Sequence, residues 1–168
     1  KEEKTMAIYM NYPGVSGTCS DANHRGWLII LELEWGTQRR ITSASSTRGD
    51  RESSSTRISD LTVTRVMDSA TPALFIEACS GRGKEVVIRA GKTTSSGSGA
   101  DVYLEYVLAH CLVKSYEMTA SPQHGNRPME RLVLSFTKML VRYTPYDSDG
   151  DAMAAMSVGY DTATNTTV

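Results

Sequence analysis

The chain has 168 residues, 40 % of them apolar, which is enough for one buried core and too many for a disordered protein. Its 18 basic and 19 acidic residues nearly cancel, which excludes the basic surface of a binder of nucleic acid or acidic lipid. No apolar run approaches bilayer length and no basic-then-apolar leader opens the chain, so export would need a route without a signal peptide.

Lys1 to Thr5 (KEEKT) reads as an added or disordered N-terminal extension, with Met6 the natural start and residues 6–168 a single domain. Ala7 to Tyr12 is predicted as a strand turned by Pro13-Gly14, and a polar loop follows from Ser16 to Gly26. Trp27 to Trp35 (WLIILELEW) is the clearest strand. The two-residue period puts Trp27, Ile29, Leu31, Leu33 and Trp35 on one face, expected to be core. Leu28, Ile30, Glu32 and Glu34 share the other face, which changes from apolar to acidic and suits emergence into solvent or a water-filled lumen. From Gly36 to Thr56 the one large apolar residue is Ile41, amid Ser, Thr, Arg and Gly. That stretch cannot bury a core of its own and is expected to be a mobile loop or an arm that orders on a partner.

Leu61 to Gly81 (LTVTRVMDSATPALFIEACSG) reads as a strand running into the one good helix, over about 71–80. Leu61, Val63 and Val66 form the apolar part of the strand. Asp68, Ser69 and Thr71 are candidate caps, and Pro72 fits the first turn. Leu74, Phe75 and Ala78 make the stripe to be buried, and Gly81 suggests a left-handed stop. Further strands are predicted at Lys84 to Ala90, Val102 to Leu108, Cys111 to Met118, and Met156 to Thr162. Between them, Glu130 to Tyr143 alternates on Leu132, Leu134 and Phe136, then changes phase to Met139, Val141 and Tyr143, which implies a bulge or bend near Thr137-Lys138. The sum is a mainly β fold: a compact β-barrel of antiparallel strands with one short helix and a long extended loop.

No cofactor or metal set emerges. Cys19 and His24 lack a second metal-binding pair. His110 and Cys111 are neighbours on a strand and point to opposite faces, which excludes them as a nucleophile and its base. Asp147, Asp149 and Asp151 have glycine at the fourth rather than the sixth place of a calcium loop, and read as a solvated acidic turn. Glu32 and Glu34 are spaced for an acid–base pair but read as a solvated face. Three cysteines cannot all pair within one chain, and Cys79 and Cys111 are expected to be buried thiols.

Five segments resemble the Hcp family, the ring-forming tube protein of the bacterial type VI secretion system. They are Trp35-Gly36, Asp60 to Gly81, Gly125 to Phe136 (GNRPMERLVLSF), Val141 to Tyr146 (VRYTPY) and Ser157 to Asn165 (SVGYDTATN), in the family's order and spacing. The chain departs from the pattern in its arm (SASSTRGDRESSSTR in place of a glycine-rich segment), at Asn126 and at Tyr160.

The resemblance implies a β-barrel that assembles as a homohexameric ring. Rings stack into a hollow tube that a contractile sheath expels, with secreted effectors chaperoned in the lumen and a spike-tip protein as a further partner. The subunit would be structural, not enzymatic, held in the bacterial cytoplasm before firing and secreted without insertion in a membrane. It makes Glu32 and Glu34 candidates for the lumen. Arg39, Arg40, Arg48, Asp50, Arg51, Glu52 and Arg57 become a candidate contact arm, and Asn126, Arg127 and Glu130 a candidate contact loop. The residues alone also admit a monomeric barrel that binds a small ligand, or an enzyme built in one.

Overall fold

The computed structural model describes residues 5–41, 53–93, 99–123 and 125–168, with the backbone only at 40, 41 and 53–55. The first half contains strands β1 (Met6–Asn11), β2 (Leu28–Ile30), β3 (Glu32–Glu34), β4 (Thr37–Ile41), β5 (Ser53–Ile58) and β6 (Leu61–Val66), then helix α1 (Thr71–Ser80). The second half contains β7 (Lys84–Lys92), β8 (Asp101–Thr119), β9 (Met129–Ser135), β10 (Lys138–Tyr143), β11 (Met156–Asp161) and β12 (Thr166–Thr167).

β8 organises the ten-stranded antiparallel sheet. Its first half lies between β7 and β10, and its second half pairs with β9. Two strands were expected here; one continuous strand is found, kinked at His110, whose φ of 51° is left-handed. From β8 the ladder runs through β7 to β1 and β2 on one side, and through β9 to β6 and β3 on the other.

The sheet is not closed into a barrel. The expected long strand from Trp27 to Trp35 is split at Leu31, a bend, into two three-residue strands that pair with different neighbours. The Leu31 N–H still reaches the Thr64 carbonyl at 2.8 Å. The bend changes the phase of the alternation. Leu28 and Ile30 are core, and after it Leu33 and Trp35 pack on the core. Ile29 and Leu31, expected inside, are instead 44 % and 51 % exposed.

The main core joins β1, β6, β7, β8 and β9 through Met10, Leu61, Val63, Ile88, Leu108, Leu132 and Leu134, capped by Leu74 of α1. Only one side of the helix is covered: Ala78 packs on the core, but Phe75 is 52 % exposed and meets the Tyr116 ring edge-on. Gly81 is also not left-handed, with φ −63°. Its need is steric, since a Cβ there would overlap the Glu77 carbonyl oxygen that its own N–H bonds at 2.9 Å.

The strand β6 carries the largest surprise. Arg65, not Val66, takes the third inward position after Leu61 and Val63, and it is 1 % exposed. In register it faces Glu130 of β9, which is 0 % exposed. Arg65 Nη1 donates to Glu130 at 2.6 Å, its Nη2 pairs with Asp68 at 2.6 Å, and the Tyr116 hydroxyl donates to the second Glu130 oxygen at 2.8 Å. Asp68 in turn builds the start of α1, where Ala70 is the cap residue without a side-chain bond of its own. The Asp68 carboxylate accepts the Ala70 N–H at 2.8 Å, and its carbonyl accepts the Thr71 N–H at 3.1 Å.

Cys111 and Cys19 are buried and Cys79 is exposed, the reverse of expectation for Cys79, because it lies on the uncovered side of α1. Burial pushes the Cys111 thiol up to about 12. A thiol-reactive dye should therefore label one site quickly in the native protein and three after denaturation; a second fast site would contradict this packing. Glu130→Ala leaves the Arg65 charge buried and half-matched. It should cost about 3–5 kcal/mol in denaturant unfolding, far more than truncation of a surface glutamate.

Candidate functional site

The sequence-predicted residues fall on three surfaces. Glu32 and Glu34 are exposed on β3, while Leu33 between them turns to the core. Register carries their row across the sheet: Glu32 faces Thr64, Thr64 faces Arg131, and Arg131 faces Glu117. Arg131 and Glu117 pair at 3.6 Å. Alternation along four strands thus makes one polar face, with the acidic pair at its edge.

The arm is a two-stranded antiparallel ribbon of β4 and β5, apart from the main sheet. Neither strand was expected from the composition. Their pairing satisfies the backbone without a core, and the register is irregular between Arg39 and Ile41. Arg39 and Arg57 are exposed on the ribbon, Arg40 is described by its backbone in β4, and Arg48, Asp50, Arg51 and Glu52 lie outside the described residues. Where the ribbon meets the sheet, Trp35, Ile58, Met139, Val141, Val158 and Tyr160 line a largely apolar cavity of about 360 Å³. Beside it Met156 and Val158 stand exposed on β11.

The third surface is the loop between β8 and β9. Asn126 and Arg127 are exposed on it. Glu130 is not part of it: buried in β9 and engaged by Arg65 and Tyr116, it is unavailable to a neighbour. Arg65 and Glu130 could have been read together in the sequence. They sit in phase with Leu61 and Val63 on one strand and with Leu132 and Leu134 on the other, and opposite charges on two apolar phases imply a buried pair.

The remaining chemical candidates are structural. His24 is buried, stacked on Tyr9 at 4.4 Å and edge-on to Trp27, with Nδ1 2.6 Å from Asp21. Asp21 also accepts the Ala100 N–H at 3.0 Å, which pins the loop before β2 to the start of β8. His110 meets the Thr137 hydroxyl at 3.0 Å, while Cys111 faces the core. Asp147 spends one oxygen on the N–H groups of Asp149 and Asp151, at 3.0 and 2.8 Å. No group of three His, Cys, Asp or Glu side chains among the described residues is placed to hold a metal ion.

With this geometry in place, comparison with known proteins is decisive. Residues 9–143 match the family model described as type VI secretion system effector, Hcp. The chain belongs to the Hcp family. A solved structure described as a type six secretion system protein covers 98 % of this Hcp chain and 100 % of its own, at 25 % identity and TM-score 0.84. The Hcp1 protein of Salmonella typhimurium covers 97 % and 99 %, at 21 % identity and TM-score 0.73. A type VI secretion system effector of Yersinia pestis covers 92 % and 98 %, at 21 % identity and TM-score 0.67. No curated protein matches the chain. The mainly β architecture with one short helix is the Hcp fold, and membership makes this a type VI secretion protein.

Acid should unfold this Hcp chain through two partly buried carboxylates, Asp68 and Asp21. Burial raises the Asp68 carboxyl, but the Arg65 guanidinium and the Ala70 N–H outweigh it and hold it below the usual 3.8. Asp21 is held low in the same sense against burial, chiefly by His24 and the Asn23 N–H. Protons then prefer the unfolded chain, so these groups stabilise the fold above 3.8 and lose that effect as pH falls through their folded values. The melting temperature should hold above about pH 5 and drop below about pH 4. Asp68→Asn should start lower and flatten that drop; an unchanged acid slope would remove Asp68 from the account.

Proposed function

We propose that the chain is a structural subunit of the type VI inner tube. Six copies close head to tail into a ring, rings stack into a hollow tube, and sheath contraction expels it with effectors held in the lumen. The observation that carries this reading is the family match over residues 9–143, joined to a fold match that spans the chain end to end.

The surfaces supply what such a subunit needs. A heterologous ring joins two different patches of one chain. The apolar cavity under the β4–β5 ribbon, with Met156 and Val158 exposed beside it, offers one of them. The ribbon itself is a pair of strands without a sheet, suited to docking on the next subunit, with Arg39, Arg40 and Arg57 on its described part. In this reading the polar face with Glu32 and Glu34 lines the lumen, and Asn126 and Arg127 lie at a contact. The partners are further copies of the chain, the spike-tip protein, the sheath and the effectors. The protein waits in the bacterial cytoplasm and leaves through the apparatus.

Light scattering tests the ring directly: six 18.4 kDa subunits give about 110 kDa, and electron microscopy of that peak should show open-centred rings. A monomer at every concentration would defeat the tube reading and favour a ligand-binding domain. Removal of residues 39–57 should leave the melting temperature of the main sheet nearly unchanged and abolish stacked tubes. Normal tubes from the truncated chain would take the arm out of assembly.

A further inference from the structure

Helix α1 is apolar on two sides. Leu74 and Ala78 pack on the core, while Pro72, Phe75, Ile76 and Cys79 recur at i, i+3, i+4 and i+7 and are all exposed. Its one charged residue, Glu77, is engaged by Lys84 and the Tyr12 hydroxyl. A helix that is apolar all round is normally covered all round, so the outer stripe calls for a second surface. A matching surface stands on β10 and β11. In register Met139 faces Tyr160, Val141 faces Val158 and Tyr143 faces Met156, which makes one apolar ladder across the two strands. It starts in the core at Met139 and runs along the cavity of about 360 Å³ to Val158 and Met156, both more than half exposed. The described residues that line this cavity carry no charge. Residues 1–4, 42–52 and 94–98 contain no large apolar side chain, so they cover neither surface.

We propose that the outer stripe of α1 docks on the β10–β11 ladder of a second copy of this chain, with Phe75 and Ile76 seated against Val158 and Met156. The placement of the two surfaces favours this occupant. They lie at opposite edges of the run β8–β9–β6–β3: Phe75 meets Tyr116 on the second half of β8, and Trp35, just past β3, lines the cavity. Each copy can therefore offer its helix to one neighbour and its ladder to the other, which is the head-to-tail contact a ring needs. Either surface paired with itself would close a dimer and stop. The stripe and the ladder are both uncharged, so their contact removes apolar area from water without stranding an ion. The inference rests on the tube reading and names the second patch that the ring joins to the ladder.

The test uses the full chain and two variants, Ile76→Asp and Val158→Asp, both at exposed positions. Each should keep the melting temperature of a free subunit, with Ile76→Lys and Val158→Lys in reserve if the aspartate lowers it. Each variant alone should run as an 18.4 kDa monomer where the unaltered chain forms rings. Mixed in equal amounts they should give a dimer of about 37 kDa, since one supplies an intact helix and the other an intact ladder. Cys79, quick to label in a free subunit, should label slowly in rings of the unaltered chain. Rings from either variant, or a mixture still monomeric at about 1 mM, would overturn the contact and leave the tube reading standing. An unaltered chain that is itself a monomer would defeat both.

Discussion

One guanidinium ties this fold together. Arg65 is buried where β6, β9, the second half of β8 and the start of α1 converge, and its bonds reach all of them through Glu130, Tyr116 and Asp68. A buried ion pair adds little over an apolar pair of the same shape, but losing one partner is costly because the other stays charged. The arrangement therefore acts mainly on geometry. It fixes the register of β6 on β9 and sets where the chain must turn into its helix. The helix cap follows from it, since Asp68 is held by Arg65 while it accepts the Ala70 N–H.

A second constraint is the bend at Leu31. A straight strand from Trp27 to Trp35 would have kept one phase and sent Ile29 and Leu31 into the core. Splitting it lets β2 pair with β1 and β3 with β6, so a single stretch of chain serves both arms of the sheet. The consequence is two apolar side chains on the surface, lining a small cavity together with Arg65. Packing and surface chemistry are thus coupled at one residue.

The family gives these features a setting. Hcp-fold structures match this chain along nearly its whole length at 13–25 % identity, which means that the backbone plan survives replacement of most side chains. A plan that tolerant rests on alternation, strand pairing and a few turns rather than on particular contacts.

The sequence by itself determined the elements that depend on local pattern: the helix at 71–80, the strands at β1, β6, β7, β9 and β10, and the break near Thr137 where the apolar phase changes. Five motif segments in order also carried the family. Only the tertiary structure decided which face of a pattern is inside. Ile29, Leu31 and Phe75 looked like core and are exposed, while Glu130 looked like part of a contact loop and is buried against Arg65. The ribbon strands β4 and β5 were invisible because each has a single apolar residue at its end, Ile41 and Ile58, and no alternation; their pairing is a matter of backbone hydrogen bonds, which leave no signature in side-chain type. The physical reason is common to all of these. Periodicity reports that a segment has two faces, but the neighbour that covers one of them comes from elsewhere in the chain, and a buried charge is tolerable only when that neighbour brings its opposite.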